Sequence, residues 1–396
     1  MDPIPLLADL VAIPSINPMG RRVSGPEYFE GRVGDYLEGF FRSLGAPFER
    51  RQVRPGRDNL VARYEAPDAA SHRTLLFDAH QDTVPVDGMT IDPFRPEVRG
   101  GRMYGRGACD IKSGLAAMLA AFARLCRERP RGSASVIMAC TVDEEYTHLG
   151  SSQLVEDGIR ADLAIIAEPT MLDLVTCHKG AIRWKVRAAG VACHSSTPER
   201  GDNAIYRMAR IIGLVREYAD TLIARPPHPI LGPPTMSIGR IEGGQSVNIV
   251  PDGCEIEIDR RVIPGEPPGG RIDDLRQFLA GRLGPEDRPF VEFSEPWVDM
   301  PALSDQASRD WVGELSAVIA RASGKVPRVI GVPYGTDAGP LAEAGMPCVV
   351  LGPGDIAQAH TRDEWIELDQ VTKAAETYFQ LGRSLGRPPR EPILLA

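Results

Sequence analysis

The chain has 396 residues, more than one hydrophobic core usually supports, and its apolar and charged fractions of 43% and 25% are those of an ordinary globular protein, so two domains are expected. A formal net charge of −9 with no long basic cluster excludes a nucleic-acid or anionic-membrane partner, since both need a positive footprint, and leaves small molecules as the expected partners. The seven cysteines lack CxxC spacing, which fits free thiols in a reducing compartment. The N-terminus MDPIPLLADLVAIPS has no basic region followed by a long apolar core, and the most apolar later stretch, LAAMLAAFARLC, is short and interrupted by Arg124. A cytoplasmic protein with no membrane span is the expectation.

From Glu27 to Leu44 apolar residues recur at helical intervals, and Gly45 stands where the helix should stop. Short apolar runs follow in TLLFDAH, SASVIMACTV and DLAIIAEP, with the helical pattern SGLAAMLAAFARLCRE between the first two. Continuous apolar strands separated by helices predict a mostly parallel sheet buried on both faces, in an α/β domain whose ligands gather at the carboxyl ends of the strands. After Pro169 the pattern changes. AIRWKVRAAGV alternates, RGDNAIYRMARIIGLVREYADTL is helical, and TMSIGRIEGG and CEIEIDRRV alternate again. The helix RIDDLRQFLAGRL and a last strand around Pro289 to Glu295 close the set. Alternation predicts a sheet with helices on one face only, hence an inserted α+β domain over residues 178–293. Residues 1–177 and 294–396, with CVVLGPGD as a further buried strand, form the other domain.

The polar residues at the mouths of the buried strands are His80 and Asp82, then Asp110 in GRGACDIKSG, Glu144 and Glu145 in TVDEEYTHLG, Glu168 in AEPT, and His360 in GPGDIAQAHT. Each alone has an ordinary reading: a turn-capping histidine, a helix N-cap aspartate, a solvated Glu pair. Together, five segments deliver only carboxylates and imidazoles, the donor set of hard-to-intermediate divalent metals. So many carboxylates would repel one another unless cations neutralised them. His148 and His178 read as structural.

The ordered stretches HQDTVP, GRGACDIKSG, TVDEE, AEPT and GPGDIAQAH resemble the zinc-dependent amidohydrolase and metallopeptidase family that includes acetylornithine deacetylase, succinyl-diaminopimelate desuccinylase, aminoacylase and glutamate carboxypeptidase. The resemblance implies a zinc-exopeptidase-like catalytic domain, and in the insertion a ferredoxin-like lid that also forms a homodimer. It implies two Zn2+ ions, with Co2+ or Mn2+ accepted by the same donors. Asp110 would bridge them, His80 and Glu168 would complete one site, and Glu145 and His360 the other.

By the same resemblance Glu144 is the general base and the Asp110–Ile111 peptide is cis. Asp82 would hold the His80 ring, because residues i and i+2 of a strand share a side. His194 in GVACHSSTPERGDNA matches the family's oxyanion donor, from this subunit or its neighbour. Arg261, Asn248, Gly335 and Thr336 match its substrate contacts, Arg261 as the partner of a substrate carboxylate. The implied activity is removal of an N-acyl group, acetyl first, from an amino acid such as N-acetylornithine. Desuccinylation and release of a C-terminal glutamate stay open, as does an inactive metal- or amino-acid-binding protein. Acetylornithine deacetylases tend to have Glu where this chain has Asp337, which separates it from them at that position.

Overall fold

The computed structural model describes residues 1–68, 73–267 and 269–386. It divides into two compact units, residues 1–177 with 303–331 and 336 onward, and residues 178–302 with 332–335.

The first unit is built on an eight-stranded sheet among the described residues, in the order Phe48–Arg54, Arg57–Tyr64, Ser135–Thr141, Thr74–His80, Leu163–Ile166, Cys348–Val350, Leu174–His178 and Val329–Val332. Its centre is parallel: Thr74–His80 runs alongside both Ser135–Thr141 and Leu163–Ile166, and Cys348–Val350 alongside Leu163–Ile166. Towards the edges the pairings become antiparallel. The inner strands are buried throughout Ser135–Thr141 and Leu163–Ile166, as continuous apolar runs require. The hairpin Phe48–Arg54 with Arg57–Tyr64 is not announced by periodicity. Its outer strand, FERRQVR, is charged because it lies at the sheet edge with one side open to water.

Helix Lys112–Glu128 is buried along nearly its whole length and packs against helix Leu368–Ser384. It sits close on the sheet because Gly114 lacks a side chain: a Cβ there would stand 2.5 Å from the Ala167 carbonyl oxygen and 2.7 Å from its Cβ. That contact fixes the strand end from which Glu168 leaves.

The second unit is an antiparallel sheet ordered Thr235–Gly243, Gly253–Val262, Gly180–Ala189, Val291–Phe293, with Val298–Met300 also paired to Gly180–Ala189. Helices Ala204–Ile223 and Arg271–Arg282 belong to the same core: Trp184, Val186, Ile256 and Ile258 meet Met208, Ile211, Val215, Leu275 and Leu279. Along Gly253–Val262 every second residue is buried, so Arg260 points to the helix side, where it donates to Glu266 (2.7 Å) and to the Arg271 carbonyl (3.2 Å).

The single closing strand expected around residues 289–295 is two short ones. Pro296 has no N–H to donate, so the ladder breaks after Ser294 and resumes at Trp297, whose amide bonds the Arg183 carbonyl. This second pairing carries the unit on to residue 302 rather than 293. No helix among the described residues is long and apolar enough to cross a membrane.

Candidate metal centre

The first unit brings together the polar residues that end its inner strands. His80 closes its strand fully buried, and its Nδ1–H donates to the Asp82 carbonyl at 3.0 Å, so in the neutral ring the lone pair is on Nε2. That nitrogen faces Asp110 Oδ1 at 3.3 Å, Glu168 Oε1 at 3.6 Å and Glu144 Oε2 at 3.8 Å. His360, half-exposed, places Nε2 3.2 Å from Asp110 Oδ2 and 3.2 Å from Glu145 Oε2. Asp110 therefore offers one oxygen to each imidazole. Two groups sharing it, His80/Asp110/Glu168 and Asp110/Glu145/His360, have donor atoms within 4.8 Å of one another. The Asp110–Ile111 peptide is cis, and His360 and Asp143 have left-handed backbones, an unfavourable conformation for residues other than glycine.

Burial and the crowding of carboxylates set the electrostatics of the site. Burial, then Glu168, pushes the Glu144 carboxyl well above the ordinary range, and burial with Asp110 does the same for Glu168 and raises Glu145. Burial opposes ionisation of Asp110 too, but the two imidazoles hold it well below the usual carboxylate value. Burial likewise opposes a charge on His80, yet the bond to Asp110 and the surrounding carboxylates raise it. Asp110 and Glu145 push His360 up to about 11. One oxygen of Glu145 and one of Glu168 are buried with no hydrogen-bond partner among the described residues. A divalent cation beside His80 would satisfy the Glu168 orphan, one at each shared group would neutralise the carboxylates, and the nitrogen and oxygen donors suit zinc, cobalt or manganese. The residues present fit the metal pair.

Asp82 acts differently from the expectation that its carboxylate orients the His80 ring. The ring is held by the Asp82 carbonyl, while the carboxylate lies 3.7 Å from Nδ1. The strand ends at His80, so side-chain alternation no longer governs residue 82. Its carboxylate instead accepts the amides of Glu144 (3.2 Å) and Glu145 (3.3 Å) and the Asn17 amide (2.8 Å), fixing the turn that carries the Glu pair. Behind it Arg57 binds both oxygens of buried Glu30 and also Asp143.

His148, read as structural, stands with Nδ1 3.0 Å from Asp337 and 3.7 Å from Glu144. Asp337 also accepts from Ser151 (2.7 Å) and Thr141 (2.9 Å), so this carboxylate serves the fold around Glu144. Glu364, which the sequence reading missed, is wholly buried and binds the loop leading to Asp110. In HTRDEW nothing local separates it from a solvated glutamate. The only signal is its place four residues after His360.

In the second unit, strand Cys193–His194 pairs with Ile249–Val250, which sets His194 beside Asn248; the Ser195 amide donates to the Asn248 carbonyl at 3.0 Å. His194 is exposed, and its Nδ1 accepts the Ser196 amide at 3.1 Å, so the neutral ring carries its proton on Nε2. Arg261 lies on the sheet face opposite the helices with Nε on Asp259 at 2.7 Å. Gly335 packs so tightly that a Cβ would collide with Met300 within the same unit. Thr336 belongs to the first unit, buried at the start of helix Ala338–Glu343.

The model of peptidase family M20/M25/M40 matches residues 76–384. Among similar proteins, an acetylornithine deacetylase of Yersinia pestis is 32% identical over 389 residues, 96% of each chain. One from Myxococcus xanthus is 31% identical over 346 residues, covering 86% of this chain and 88% of that protein. A Staphylococcus aureus tripeptidase structure aligns over 96% of this chain and 97% of its own, with a TM-score of 0.75 at 22% identity. An M20 family metallo-carboxypeptidase from Sulfolobus solfataricus aligns over 97% and 99%, with a TM-score of 0.75 at 19% identity. The structural likenesses bear on the fold alone.

Proposed function

The chain belongs to peptidase family M20/M25/M40, whose members are metal-dependent hydrolases of amide bonds, and from that membership we propose a di-zinc amidohydrolase that removes an N-acetyl group from an amino acid such as N-acetylornithine. The observation that carries the reading is Asp110 with one oxygen towards each of two imidazoles, flanked by the unpartnered oxygens of Glu145 and Glu168. His80, Asp110 and Glu168 would hold one ion, and Asp110, Glu145 and His360 the other. Bound there, the ions supply positive charge that acidifies water and polarises the scissile carbonyl.

The rest falls to side chains. Glu144 accepts the proton of the attacking water and returns it to the departing amine; burial and Glu168 raise its pKa, which makes its carboxylate the stronger base. Asp82 positions the turn that presents it. His194, with its proton on Nε2, has the tautomer needed to donate to the oxyanion, from its own subunit or the partner's. Arg261 binds the substrate carboxylate, with Asn248, Gly335 and Thr336 completing the contacts. The second unit serves as lid and dimerisation domain, a reading supported by its edge strand Thr235–Gly243 and the exposed Tyr206, Ile241, Val247 and Ile249. Seven unpaired cysteines are in keeping with a cytoplasmic enzyme.

The acetyl group and the amino acid are supported by the names of the relatives. The test is metal content on the purified protein with amine release from a panel of N-acetyl, N-succinyl and glutamate-terminal substrates. Two metals and fastest release from N-acetyl substrates are expected. Turnover without metal refutes the mechanism, and preference for a succinyl or peptide substrate moves the specificity within the family. Sedimentation showing only monomer refutes the dimer.

A further inference from the structure

The segment Gly105–Cys109 leading to Asp110 lies in no strand or helix, yet it is buried, and its amides need acceptors. Glu364 provides them. One carboxylate oxygen accepts the amides of Cys109 (2.7 Å) and Asp110 (2.9 Å), and the other accepts the Gly107 amide (3.1 Å) and the Arg106 guanidinium (2.7 Å). The Glu364 carbonyl takes the Gly105 amide as well, at 3.1 Å. A single residue thus binds the chain at 105, 106, 107, 109 and 110. Four residues before it, His360 reaches Asp110 Oδ2 at 3.2 Å.

We infer that Glu364 is a positioning residue that fixes the separation of Asp110 from His360, and so sets the metal position those two share with Glu145. The inference rests on the metal reading above. Charge-assisted bonds to three amides and a guanidinium hold the Asp110 main chain, and so fix the point from which its carboxylate reaches both imidazoles. His360 enters on the same segment that carries the clamp. The backbone at His360 is left-handed, a conformation that persists where surrounding contacts enforce it. A purely structural carboxylate paired to Arg106 would affect stability and leave metal affinity alone.

The experiment compares Glu364→Gln and Glu364→Asp with the wild-type full chain. Each is stripped of metal, melted to establish folding, and titrated with zinc by calorimetry. Gln keeps the volume but turns an NH2 towards donors, and Asp keeps the charge one methylene short. Both should fold and bind zinc about 10–100-fold more weakly at one of two positions, the size of effect seen when a ligand's support is lost. The visible spectrum of the cobalt-substituted variants should change as well. Folded variants whose two affinities stay within about threefold of wild type overturn the inference. Failure of both to fold assigns Glu364 to stability and overturns it too. Absence of zinc uptake by the wild type refutes the metal reading instead.

Discussion

Replacing Glu144 by Gln should separate catalysis from metal binding if the proposed roles hold. The side chain is almost fully buried, with Oε2 3.8 Å from His80 Nε2 and Oε1 3.7 Å from His148 Nδ1, and it belongs to neither group built on Asp110. Gln fills the same volume, so packing is kept, while the proposed proton acceptor is lost. General base and acid catalysis contributes about 10²–10⁴-fold, so kcat should fall by that factor, about 3–5 kcal/mol in the barrier at 1.36 kcal/mol per decade. KM and metal stoichiometry should hold, because Glu145, Glu168 and both imidazoles are untouched. Burial and Glu168 disfavour the ionised carboxylate, so removing it should also raise the melting temperature of the metal-free protein at neutral pH. Steady-state kinetics on an N-acetyl amino acid, metal analysis and thermal melts of the same preparation make the comparison. Activity within about tenfold of wild type removes Glu144 from the role of base. Loss of metal in step with activity makes it a ligand.

Three further outcomes follow from the geometry. Glu144, Glu145 and Glu168 have raised pKa values, and burial takes Glu30 to about 7 against the pull of Arg57. The cost of ionising these groups is absent below their ordinary values and grows as pH rises through the folded ones. His80 and His360 are raised too, and the stability they contribute is present below about 6.5 and lost as pH rises, towards about 11 for His360. These six groups share one sign and outnumber Lys112, which burial lowers to about 7 and which acts the other way, so metal-free protein should melt higher at pH 6 than at pH 9, and zinc affinity should rise about tenfold per pH unit for each proton displaced; a melting temperature that rises with pH contradicts this. Gly114→Ala would press a Cβ against the Ala167 carbonyl at 2.5 Å, so unfolding should become easier by about 1–3 kcal/mol, with weaker metal binding through displacement of Glu168; an unchanged denaturation midpoint refutes the close approach. His194→Asn should lower kcat by about 10²–10³ with metal content intact, and undiminished turnover would exclude it as the oxyanion donor.

Sequence alone determined the inner strands, the central helix and the second sheet with its helices, because continuous or alternating burial prints directly into apolar spacing. It also marked His80, Asp110, Glu144, Glu145, Glu168 and His360, since carboxylates and imidazoles are conspicuous where apolar strands end. Tertiary structure decided what no spacing encodes. The charged edge hairpin has no apolar face to register, and Pro296 splits the last strand of the second unit. Asp82 exchanged its expected task because the strand stops two residues before it. Glu364, Arg57 and Asp337 are charged residues whose importance comes from burial beside hydrogen-bond partners remote in the chain, up to 258 residues away for Glu364 and Arg106. Periodicity reports which way a residue faces within its own element, whereas hydrogen bonds between remote loops exist only once the chain has closed around them.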